Sequence, residues 1–121
     1  MNHTDLGIVA TVDPATGVSH RIDVAGLIPG TPDGLQLEGR TLYVVENFAN
    51  TLAKVKLSGD LTHGTLVAQI HDPALEVPTT TARFGSRMAT VNAKFDLGLP
   101  PPFGPGAPPG TTFQVVLLPT H

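Results

Sequence analysis

The stretch PDGLQLEGRTLYVVEN, residues 32–47, lies over PTTTARFGSRMATVNA, residues 78–93, at a constant offset of 46. Pro32 falls on Pro78, Gly39 on Gly85, Leu42 on Met88 and Val45 on Val91. A second pair, DPATG at residues 13–17 and DLTHG at residues 60–64, repeats at an offset of 47. Two separate alignments with nearly equal offsets indicate one supersecondary unit used more than once. Such periods, in the range of roughly 40–50 residues, belong to sheet-by-sheet repeat architectures.

Each unit carries strand chemistry. Residues 34–38 and 41–46 are short apolar-rich runs separated by Gly39-Arg40, where glycine supplies the positive φ of a tight hairpin turn. Residues 51–58 alternate Leu52, Val55 and Leu57 with Lys54 and Lys56, and residues 65–71 follow the DLTHG turn. Four strands in this span predict one antiparallel propeller blade, a to d from the axis outwards. Residues 7–12 and 19–24 then supply strands c and d of a preceding blade. Residues 79–84, 87–93 and 112–118 supply a, b and c of a following one. The predicted fold is all-β, a partial β-propeller with one complete blade (33–72) between two incomplete ones (7–24 and 78–118).

Composition agrees with this class and excludes others. The 121 residues are 40% hydrophobic, with 13 Gly and 12 Pro dividing the apolar residues into short runs. Seven scattered Lys and Arg in a chain of formal net charge −3 leave no basic stripe for nucleic acid. With no cysteine, disulfides, thiolate metal sites and thiol nucleophiles are excluded. No apolar run is long enough to span a membrane, and no signal peptide opens the chain, so the expected location is cytoplasmic, or secreted if a longer precursor exists. Residues 96–110, DLGLPPPFGPGAPPG, hold six Pro and are expected to form a surface loop between the last b and c strands.

In order, D-P-x-T-G between two strands, P-D-G-L, L-Y-V-V-E-N and T-T-x-x-x-F-G-x-x-M-x-T-V-N-A resemble the C-terminal part of the senescence-marker-protein/gluconolactonase-like propellers, the family that contains regucalcin. The resemblance covers residues 7–118 and implies the last two and a half blades of a six-bladed ring. It further implies a calcium ion at the channel mouth, held by a glutamate, an asparagine and the aspartate of a P-D-G sequence. Only the aspartate has a counterpart, Asp33, which is the candidate metal ligand; one carboxylate is far short of the six to eight oxygens calcium takes. Pro-Asp-Gly is equally a common turn sequence that needs no metal. Thr79 occupies the equivalent place in the next repeat, giving a polar cluster of Asp33, Thr79 and Thr80.

The other titratable residues suggest no second site. His3, His20, His63, His71 and His121 lack metal-ligand spacing, no serine sits in a G-x-S-x-G elbow, and Glu38, Glu46 and Glu76 read as solvated strand ends. The expected function is a truncated gluconolactonase-like propeller without a complete catalytic site, acting as a scaffold or binding fragment with room for a small-molecule ligand. The alternative is a calcium-dependent lactonase or related hydrolase, active only in a longer or oligomeric propeller. Because residues 7–12 and 112–118 are uncharged and lack expected strand partners, self-association through open edges is also expected.

Overall fold

A computed structural model describes residues 1–120. It is all-β, with ten strands: β1 (Asn2–His3), β2 (Ile8–Val12), β3 (Ser19–Val24), β4 (Pro32–Glu38), β5 (Thr41–Glu46), β6 (Thr51–Leu57), β7 (His63–His71), β8 (Pro78–Phe84), β9 (Arg87–Asn92) and β10 (Val115–Pro119). Strands β4 to β7 form an antiparallel meander. Strands β8, β9 and β10 form a separate three-stranded sheet. Among the described residues no helix is long and apolar enough to cross a membrane.

The three units stack as layers because the central strand is apolar on both faces. In β5, Leu42 and Val44 point into one core with Val9, Ile22, Ala53 and Val55, between the β2–β3 hairpin and the meander. Tyr43 and Val45 point into a second core with Leu52, Leu75, Met88 and Leu118, between the meander and the three-stranded sheet. A run such as LYVV, with no polar alternation, is the pattern of a strand covered on both faces. At the edge of the second interface, Arg83 of β8 pairs with Glu38 of β4. Arg83 and Lys54 both lie over the Tyr43 ring, each 5.9 Å from its centroid.

Repeat and geometry coincide in detail. Gly39 and Gly85, equivalent turn glycines, have φ of 57° and 59°. The amide of Asn47 donates to Thr31 O at 2.9 Å, and the amide of Ala93 donates to Val77 O at 3.0 Å, both partners displaced by the same 46 residues. A register shift falls between Pro32 and Leu35 and again between Pro78 and Thr80.

Four expectations need correction. The strand at 8–12 does not lack a partner, because β1 pairs with it and Ala10 N donates to Met1 O at 2.8 Å. Two residues carry too little pattern to be recognised as a strand. Second, the hairpin at residues 7–24, expected in a blade separate from 33–72, bonds to the meander through a short parallel bridge, Asp23 to His63 and Val24 to Gly64, and β1 approaches β4 through Asn2 Nδ2 to Asp33 O at 2.6 Å. Seven strands are thereby joined in one nearly closed sheet, β1-β2-β3-β7-β6-β5-β4.

Third, the DPATG and DLTHG segments are not equivalent throughout. Gly17 takes a left-handed φ of 73°, whereas in DLTHG the left-handed residue is Leu61, at 59°. Gly64 already lies in β7, where a Cβ would come within 2.7 Å of Val55 Cγ1. The Asp60 carboxylate accepts from the Ser58 hydroxyl and from the Thr62 amide and hydroxyl, which holds its pKa down at about 2. Fourth, the last strand starts at Val115 rather than 112, although Asn92 N still donates to Gln114 O at 3.0 Å. Residues 93–114 contain no strand, and Phe103 in the proline-rich segment is 81% exposed.

Met88 is fully buried between the second and third layers. Met88→Ala should therefore destabilise the fold by about 2–5 kcal/mol, against a few tenths for the exposed Phe84→Ala. Urea denaturation followed by circular dichroism checks the difference.

Candidate functional site

Asp33 stands near the start of β4, one residue after the buried Pro32. The Pro-Asp-Gly sequence does not form a turn. It forms the bulged start of a strand, and Gly34 does not take a positive φ. Glycine is required there for another reason: a Cβ on Gly34 would lie 2.6 Å from Thr79 O and 2.6 Å from Thr80 Cα. The backbone of β4 thus runs against β8 at this point, with Gly34, the residue after Asp33, beside Thr79 and Thr80.

The Asp33 carboxylate accepts one hydrogen bond, from Asn47 Nδ2 at 3.4 Å. Partial burial raises its pKa above the ordinary aspartate value, and the Asn47 bond offsets part of that rise. Among the described residues no three His, Asp or Glu side chains gather in one place. His71 Nδ1 bonds the Thr51 hydroxyl at 3.0 Å and His63 Nδ1 bonds the Thr62 hydroxyl at 2.6 Å, so both have local partners. His121 lies outside the described residues.

The residue that the sequence reading misplaced is Glu46. It is no solvated strand end: its exposure is 0%, its Oε1 accepts from the Ile28 amide at 2.7 Å, and its Oε2 is buried with no hydrogen-bond partner. Its counterpart one repeat later, Asn92, is also fully buried. Asn92 Oδ1 accepts from the Glu76 amide at 2.9 Å and its Nδ2 donates to Ala74 O at 2.8 Å. In both repeats a buried side chain ending the second strand holds the segment leading into the first. The signal was present in the alignment, where Glu46 falls on Asn92 at the offset of 46. This role is structural, and it removes Glu46 from the set of accessible acids.

One large recess faces outward between the hairpin and the meander. It has a volume of about 780 Å³, and its lining is mostly aliphatic. A second groove of about 650 Å³ runs along the DPATG and DLTHG turns, lined by Val12, Val18 and Leu61 as well as Asp13, His20 and Asp60. With this geometry, no family model, no curated protein and no solved structure matches the chain.

Two predictions follow from these contacts. Asn92→Ala removes both bonds that hold residues 74–76 and should cost about 2–4 kcal/mol, read by denaturant titration. For Asp33 the raised folded pKa means that its contribution to stability is present below the unfolded value of 3.8 and is lost as pH rises through the folded one. Asp33→Asn should therefore be at least as stable as the wild type at neutral pH and should lose stability more steeply on acidification, because protonation of Asp33 in the wild type opposes that loss; thermal melts taken across pH check it.

Proposed function

We propose that the chain is a segment of a β-propeller similar to the gluconolactonase-like family, and that it serves as a binding scaffold with no complete catalytic site of its own. Residues 7–24 contribute two strands of one blade, 33–72 a full blade, and 78–118 an incomplete blade that carries the loop 96–110. The observation that carries this reading is the shared bonding at an offset of 46. Asn47 to Thr31 recurs as Ala93 to Val77, and the buried Glu46 recurs as Asn92. Sheets that repeat the same internal bonds and pack face on face are the building plan of a propeller.

A scaffold is favoured over a calcium hydrolase by the surroundings of Asp33. Its carboxylate meets one amide, its desolvation opposes the ionised form that calcium needs, and among the described residues no three His, Asp or Glu side chains gather in one place. Titration calorimetry of the 121-residue chain should show no saturable calcium binding at micromolar concentration, and hydrolysis of gluconolactone should not exceed the buffer rate with or without calcium. Micromolar calcium binding that Asp33→Ala abolishes would replace the scaffold reading with the hydrolase one.

Self-association belongs to the same proposal, placed at the uncharged edge of β10. Among the described residues no strand pairs with the outer side of β10, which is uncharged and leaves Val115 60% and Leu117 42% exposed. Light scattering after size exclusion should show species larger than one chain, reduced by Leu117→Lys. A monodisperse monomer would overturn it.

A further inference from the structure

The recess between the hairpin and the meander combines four features. Its floor is made by Val9, Ile22, Leu42 and Leu57, all buried. Its rim carries exposed aliphatic side chains, Leu37 at 58% and Leu61 at 40% exposure. Its volume of about 780 Å³ lies in the range of small-molecule sites, roughly 300–1,000 Å³. Its lining includes Arg40 and no Asp or Glu, in a chain whose net charge is −3.

Two local details point to a built mouth rather than a packing gap. Leu61 holds a left-handed φ of 59°. That conformation is strained for a side chain with a Cβ and comes readily only to Gly, or to Asn and Asp. A leucine there brings apolar surface to the rim at a conformational cost that glycine would not carry. Opposite, Arg40 follows the Gly39 turn, and its Nη1 sits 3.1 Å from where a Gly59 Cβ would be, so the absence of a side chain at 59 makes room for the guanidinium. Among the described residues Arg40 forms no ion pair. A planar fork of donors left without an acid at the mouth of an aliphatic recess matches a carboxylate attached to an apolar tail.

We propose that this recess binds a medium-chain carboxylate, its tail against Val9, Ile22, Leu42 and Leu57 and its carboxylate on Arg40. The site goes beyond the propeller reading and does not rest on it, since calcium and lactone assays report on a different part of the molecule. Decanoate, decanol and decylamine share one tail and differ in the head group, so calorimetry with the three, below their aggregation limits, isolates each contribution. Decanoate should bind saturably, and decylamine roughly tenfold or more weakly. Arg40→Gln should weaken decanoate roughly tenfold and leave decanol unchanged, whereas Leu37→Asn should weaken all three. Both positions are exposed, and matching thermal melts confirm that the variants fold. Equal affinity for the three head groups, or Arg40→Gln without effect on decanoate, overturns the assignment. Absence of saturable binding also overturns it, as does perturbation of recess residues only on raising protein concentration, which would place a second copy there.

Discussion

The arrangement depends on a small number of partly buried bonds at the end of the second strand of each repeat. A connecting segment between sheets must run close to the packed faces, where backbone amides lose their water, and an unsatisfied buried amide costs roughly 1–3 kcal/mol. Glu46 meets this need for Ile28, Asn92 meets it for Glu76 and Ala74, and the amides of Asn47 and Ala93 close the same corner through Thr31 and Val77. These corners fix how each first strand enters beside its second. They therefore set the position of β4 against β8, where Gly34 abuts Thr79 and Thr80. The candidate ligand Asp33 is held at this corner, and its limited solvation follows from it.

A second consequence comes from the two-faced central sheet. With Leu42 and Val44 on one side and Tyr43 and Val45 on the other, the meander has to be covered twice. Three strands and their connections cover one face. The other receives only a hairpin of five- and six-residue strands plus the two residues of β1. That cover is incomplete near the Gly39-Arg40 turn, and the aliphatic recess lies there. The feature most suited to holding a ligand thus arises from the mismatch in size between two layers.

Most of the strands were legible because their patterning is local. Alternation in TLAKVKL, the glycine turns at 39 and 85, and the apolar LYVV run each report directly on backbone geometry or burial. What escaped was tertiary. Asn2–His3 becomes a strand only because β2 and β4 lie beside it. Pro-Asp-Gly bulges within a strand instead of turning because the pairing of β4 with β5 and the nearness of β8 override the local turn preference. Glu46 reads as a solvated acid by composition, and only its register with Asn92 reveals a buried clamp. Asp33 itself was located correctly at the head of its strand. Its turn role was not, since its carboxylate bonds Asn47 instead of its own backbone.

Amide hydrogen exchange measured by NMR tests the corner bonds most directly. If they organise the repeat, the amides of Ile28, Asn47, Glu76 and Ala93 will exchange as slowly as those of the central strand β5, although all four lie outside the strands. Exchange of these four amides at the rate of an unprotected chain, while β5 remains protected, would contradict the account.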